Sequence, residues 1–260
     1  MYSLSEPLLG LALLALLVLA SEFGFRAGRR RGPTSSDAVR QQVGNIQTAL
    51  LALFALLLAF TFSMALSRFD QRRQLVVREA NAIGTAALRA RLLPAPQRVE
   101  AAVLFRRYVE VRLEAARGAN LPTPRRQVLD DEAGRIQERL WRAAVAAAEA
   151  DPRSFPAGLF TQAMNELIDL KGERDAALAN HVPESVLALI FAFAVLAMGV
   201  VGYENGYAGA RTLGVTTLLC ALTALVILVI VDLDRPRRGL IRVSQESMVN
   251  LQKNLEAPER

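Results

Sequence analysis

QQVGNIQTALLALFALLLAFTFSMALS, residues 41–67, runs for 27 positions without a charged side chain. A helix rises about 1.5 Å per residue, so roughly 20 apolar residues cross the hydrocarbon of a bilayer, and this stretch is longer than that. Three further uncharged runs, 186–203, 212–231 and 7–21, hold 18, 20 and 15 residues. The first two are long enough to span and the third nearly so. The 260-residue chain is 52% hydrophobic and 22% charged, with a mean hydropathy of +0.25, too apolar for one ordinary soluble domain. The expected fold is all-α: a polytopic membrane protein with four transmembrane helices and a helical extramembrane bundle between spans two and three.

Working outward, only Gly84 interrupts good helix formers between residues 67 and 93. Span two is therefore expected to leave the membrane as one continuous rod that Pro94 stops. From 67 to 182 the chain carries 19 Lys+Arg and 15 Asp+Glu with no alternating strand pattern, so this region is read as wholly helical. Val99, Ala102, Val103, Arg106, Val109, Leu113 and Ala116 recur at three- and four-residue steps and predict an apolar stripe, with Gly118 as its C-cap. Thr123-Pro124 reads as an N-cap followed by proline, opening a helix with Leu129, Ile136, Leu140 and Ala147 on one face. A further helix over 156–180 buries Leu159, Ala163, Leu167 and Leu170, and Pro183 opens span three.

The resulting organisation is transmembrane helix 1 over 1–25, an Arg-rich linker over 26–46, helix 2 over 47–66, the bundle over 67–182, helix 3 over 183–203, a short loop over 204–211, helix 4 over 212–232 and a basic tail over 233–260. Glu6 and no Lys or Arg precede the first apolar run, so it is expected to be a retained helix rather than a cleaved signal peptide. Gly202, Gly206 and Gly209 predict a tight hairpin between spans three and four. A hairpin returns the chain to the side it left, so bundle and tail share one face of the membrane. That face offers ten basic residues near the span ends (Arg68, Arg72, Arg73, Arg78, Lys171, Arg174, Arg235, Arg237, Arg238, Arg242) against six on the other (Arg26, Arg29, Arg30, Arg31, Arg40, Arg211). The positive-inside rule then places bundle and both termini in the cytoplasm of a multi-pass inner-membrane protein. Span one alone points the other way, its start acidic and its end rich in arginine.

Composition also excludes function classes. Cys220 is the single cysteine and His181 the single histidine, so neither a disulfide, a thiolate zinc cage nor a histidine metal cluster is expected. Asp232 and Asp234 supply only a corner of the six to eight oxygens, roughly, that calcium takes, and are expected to pair with Arg235, Arg237 and Arg238 or with Arg68 and Arg72. No paired carboxylates, activated nucleophile or phosphate loop stands out, so no catalytic residue and no cofactor is assigned and the chain is read as a non-enzyme. No ionisable residue sits in the middle of a span, which counts against a proton-coupled transporter. The net charge of +6 comes with no aromatic interleaving, so nucleic acid is not an expected partner; the lipid bilayer is.

The stretches FSMALSRFDQRR (62–73), EANAIGT (79–85) and LLP (92–94) resemble the bacterial bestrophin-like membrane proteins. Arg174 with NHVP (180–183), and DLDRPRRG (232–239) after span four, fall where that family carries such sequences. The family is distantly similar to bestrophins proper, homopentameric anion channels with four spans per subunit, a helical cytoplasmic region and a pore lined by span two. The resemblance implies a homo-oligomer, a pentamer by analogy, permeable to inorganic anions such as chloride. In span two Ala52, Ala55, Ala59 and Ser63 form a stripe of small residues of the kind that packs helices in lipid. Beside it Phe54, Leu58 and Phe62 stand at i, i+4 and i+8 and are the pore or gate candidates. Arg29, Arg30 and Arg31 at one mouth, and Arg72, Arg73 and Arg78 along the exit rod, are the anion-attracting candidates. The alternative is a non-conducting membrane scaffold or sensor whose bundle binds a soluble partner.

The topology is checked by placing one cysteine on the bundle surface in a Cys220→Ser background. A membrane-impermeant maleimide should leave it unlabelled in intact cells and label it after lysis; labelling of intact cells reverses the orientation.

Overall fold

The computed structural model describes residues 6–31, 37–118, 122–209, 211–235 and 239–257. Among them eight helices follow one another: α1 (Glu6–Arg31), α2 (Asp37–Ala90), α3 (Ala95–Arg117), α4 (Thr123–Ala150), α5 (Phe155–Ala179), α6 (Glu184–Tyr207), α7 (Leu213–Asp234) and α8 (Glu246–Glu256). No described residue lies in a strand. The chain divides into two compact units, one of 1–67 with 181–235 and the other of 68–180 with 236–260. Four helices, α1, α2, α6 and α7, are long and apolar enough to cross a membrane. The expected all-α architecture of four transmembrane helices with a helical bundle after the second is the one observed.

In the first unit α1 lies along α6, and the sequence explains how closely. Gly24 and Gly28 face the carbonyls of Gly199 and Tyr203, while Gly202 and Gly206 face those of Ser21 and Phe25. A Cβ at any of the four would overlap a backbone atom of the opposite helix. Two reciprocal G-x-x-x-G pairs thus bring backbone against backbone. In lipid, where apolar side chains gain nothing by leaving hydrocarbon, such close packing is the main attraction between helices. Gly202 and Gly206 therefore belong to helix packing, and α6 continues to Tyr207 through part of the stretch the sequence assigns to a loop. Only Gly209 serves the turn: its φ of 74° is open to glycine, and its N–H donates to the Gly206 carbonyl. At the other end of this pair the Asp234 carboxylate accepts from the Val182 N–H at 2.9 Å and stands 3.3 Å from His181 Nδ1, fastening the end of α7 to the start of α6. Arg237 and Arg238, two of the arginines expected to pair with Asp232 and Asp234, lie outside the described residues.

The second unit is a helical bundle around its own apolar core. Its core joins Ile83 and Ala86 of α2, Phe105 and Tyr108 of α3, Leu129 and Leu140 of α4, Phe160 and Met164 of α5 and Met248 of α8. The Phe105 and Phe160 rings meet edge to face at 6.4 Å. The α4 stripe of Leu129, Ile136, Leu140 and Ala147 is buried as expected, as are Ala163, Leu167 and Leu170 of α5; Leu159 is half-buried and its neighbour Phe160 fills the core. The stripe expected on α3 holds only in its second half: Val109 and Leu113 are buried, whereas Val99 and Val103 are 62% and 60% exposed, and Ala102 and Arg106 are also exposed. The buried residues are Ala101, Leu104, Phe105, Tyr108, Val109, Val111, Arg112 and Leu113. Small aliphatics set the expected phase, whereas the aromatic rings and Arg112 set the real one.

Helix ends follow the local chemistry. After Ala90 three successive N–H groups reach back three residues, a tightening turn that delivers Pro94 as the cap of α3, so the rod ends close to the expected proline. The rod begins at Asp37, ahead of the expected residue 47, and α1 extends to Arg31. Gly118 caps α3 as expected. Helix α4 starts on Thr123 itself, with Pro122 in the cap position, and Ser154 caps α5 by accepting from Ala157 N–H at 3.3 Å.

Substituting Gly202→Ala should destabilise the first unit by about 1–3 kcal/mol, because the opposing atom is backbone and cannot swing away. Gly134→Ala, in open space on α4, should instead stabilise by about 0.5–1 kcal/mol. Melting of the two variants in detergent, compared with the parent, reads both signs.

Candidate functional site

The chemistry-bearing cluster of the second unit is built on Glu79. It lies on α2 between Val76, Ala80 and Ile83, all buried, so helical spacing carries its carboxylate into an apolar core, where it is 0% exposed. An isolated ionised carboxylate is very costly there, and three side chains meet it. Arg112 Nε stands 2.8 Å from Oε1 and its Nη2 donates to Oε2 at 3.2 Å. Arg174 Nη1 donates to Oε2, and Tyr108 Oη donates to Oε1 at 3.3 Å. Tyr108 and Arg112 are one turn apart on α3, and Arg174 comes from α5. Arg174 Nη2 continues to the Gln245 amide oxygen at 3.2 Å, adding the segment before α8.

Burial pushes the Glu79 carboxyl upward, but the Arg112 and Arg174 charges and hydrogen bonds outweigh it and hold the group below its ordinary 4.5. Burial raises the Tyr108 phenol, with Arg112 opposing and Glu79 assisting, so it stays a protonated donor. Burial works against the Arg112 charge, yet Glu79 reverses the balance and raises it. Both carboxylate oxygens are occupied by cations and the proton is held off, so Glu79 organises the bundle and is not placed to shuttle protons. Among the described residues no group of three or more His, Cys, Asp or Glu could hold a metal ion.

The residues singled out from sequence do not converge on this cluster. On α2, Phe54 is buried at 4% exposure, Leu58 is half-buried and Phe62 is 38% exposed, while Ala52, Ala55, Ala59 and Ser63 are all exposed. Arg29, Arg30 and Arg31 form the exposed last turn of α1, where cations also favour a helix C-terminus. Arg73 is exposed, and Arg78 pairs with Glu173 at 3.0 Å. Arg72 is buried and caps another helix: it donates to the carbonyls of Ala177 and Asn180 at the end of α5, at 3.0 and 2.7 Å. Sequence reading noted Glu79 and Arg174 but missed Tyr108 and Arg112. The signal was present: a lone carboxylate on an alanine face requires a cation, and Arg112 follows Tyr108 at i+4 on the aromatic face of α3.

At pH 7 Arg112→Ala should destabilise the bundle by about 3–5 kcal/mol, the usual effect of removing one partner from a buried ion pair. Since the native carboxyl lies below its unfolded value, its stabilisation is complete above pH 4.5 and is lost as pH falls through the native value. Acidification should therefore narrow the gap between parent and variant, which denaturation of the full-length protein at pH 7 and near pH 4 measures.

A family model described as the Bestrophin-like domain matches residues 9–248. No curated protein matches the chain. Among solved structures, a bacterial bestrophin homologue from Klebsiella pneumoniae, phased on zinc, is similar over 94% of this chain and 96% of its own, with 19% identity and a TM-score of 0.65. A substituted form of a Klebsiella pneumoniae bestrophin homologue gives a TM-score of 0.68 at 18% identity over 95% and 97% of the two chains. At such identity the likeness is one of fold. The family match covers most of the sequence, and the chain belongs to the Bestrophin-like family.

Proposed function

We propose that this Bestrophin-like protein is an oligomeric ion channel, permeable to anions such as chloride, in which span two lines the pore. Membership of the family over 9–248 is the observation that carries the reading. The surface of α2 supports it. In the membrane-crossing half, Leu53, Leu56, Phe60, Phe62 and Leu66 are exposed alongside the small residues Ala52, Ala55 and Ala59. Small residues suit close contact with a like helix, and the larger ones suit a lining.

Arranged around an axis, a pentamer by family resemblance, copies of Leu58 and Phe62 would stack apolar rings, which gate by dewetting, while Phe54 is buried within its own protomer. Arginines 29–31 and Arg73 would raise the local anion concentration at the two mouths. The bundle and both termini are assigned to the cytoplasm of the inner membrane by the excess of basic residues on their face.

Purified protein in a planar bilayer under a chloride gradient should pass current that reverses near the chloride equilibrium potential, from a ring-sized detergent particle. Replacing Leu58 and Phe62 together with alanine should raise conductance roughly several-fold by wetting the constriction. A silent bilayer from a monomer overturns the channel and favours a scaffold whose bundle binds a soluble partner; unchanged gating in the double variant removes span two as the gate.

A further inference from the structure

Beside the Glu79 cluster the second unit holds a cavity of about 280 Å³ whose charged lining is Arg72, Arg112, Arg117, Arg174, Arg242 and Asp130. Arginines thus converge from α2, α3, α5 and the segment leading to α8. Arg112 and Arg174, 6% and 7% exposed, share one carboxylate, Glu79, so the pair keeps an uncompensated positive charge in a low-dielectric setting. Asp175 reaches only to 4.0 Å from Arg112 Nη1 and is itself bonded to Lys171 at 2.7 Å. Arg174 also donates to the Gln245 amide oxygen, and Arg242 to the Gly239 carbonyl at 3.1 Å, both neutral acceptors. They fix the guanidiniums without neutralising them.

We propose that this cavity binds a phosphate group, as inorganic phosphate or a small phosphate ester. Guanidinium forks match a polyatomic oxyanion in pairs of parallel N–H···O bonds, which a spherical halide cannot accept. Arg117 and Arg242, which lie outside the Glu79 pairs, share one space with the positive edges of Arg72, Arg112 and Arg174, and that space has room for more than a single ion. The apolar part of the wall, Val76, Leu178 and Val243, suits the remainder of an ester. The site is in the bundle, and its assignment does not rest on the channel reading.

The test is thermal melting and calorimetry of the full-length protein in neutral detergent, with sodium phosphate against sodium chloride at matched ionic strength. Phosphate should raise the melting temperature by roughly 2–5 °C at saturation. Arg117→Gln, at an exposed position outside the Glu79 pairs, should weaken phosphate binding by roughly tenfold or more while leaving melting in chloride unchanged, and Arg242→Gln, which also gives up the bond to Gly239, should weaken it as much. Arg78→Gln, outside the cavity, should bind as the parent does. If Arg242→Gln does not fold, Arg117→Gln alone decides. Because lipid headgroups carry the same group, short-chain phosphatidylglycerol is titrated in parallel; protection by that lipid and none by free phosphate overturns a soluble ligand. Equal shifts in phosphate and chloride, or full phosphate binding in Arg117→Gln, overturn the site.

Discussion

A single buried carboxylate sets the arrangement of the bundle. With Glu79 fully enclosed and ionised, the surrounding helices must present cations to it, and only one rotational setting of each does so. Turning α3 by one residue swings its side chains by about 100° and would take Arg112 away from the core and Tyr108 with it. The α3 face that results buries an arginine and exposes two valines, an arrangement that apolar burial alone would not select. Buried ion pairs add little net stability against well-packed apolar replacements. Here the pair decides which face of α3 and of α5 looks inward.

The two units solve helix packing with different physics in one chain. Between α1 and α6, paired glycines let carbonyls of one helix touch the backbone of the other, since lipid supplies no hydrophobic drive to bring larger side chains together. In the other unit Phe105, Phe160, Met164 and Leu140 leave water for a shared core, and alanines of α2 keep that core thin around the carboxylate. Surface pairs such as Arg107 with Glu132 and Arg139 with Glu100 link α3 to α4, each contributing about 0–1 kcal/mol.

The long uncharged runs and the proline at 94 made the number of spans and the continuous second helix legible, because length and chain geometry act locally. The α4 stripe was legible for the same reason. The α3 face was not: Val99 and Val103 look like core, and only knowledge that Glu79 waits on another helix reveals why Arg112 displaces them. Gly202 and Gly206 were read as turn glycines because sequence gives no hint that α1 lies against them. Arg72 stood out as an exposed cation from its basic neighbours, yet its partners are carbonyls more than a hundred residues onward. Each miss is a tertiary partner that local pattern does not carry.

The place of α8 in the chain bears on how the protein is made. Met248 and Leu251 complete a core whose other members are all synthesised before residue 168, with two membrane-crossing helices in between. At about 5–20 residues per second, a ribosome needs several seconds to pass from α5 to α8. During that interval the nascent bundle has an apolar seam where Met248 belongs and an Arg174 still without its Gln245 partner. Completion of the last helix is thereby tied to successful insertion of α6 and α7, so a chain that stalls in the translocon displays an unfinished core to chaperones and proteases.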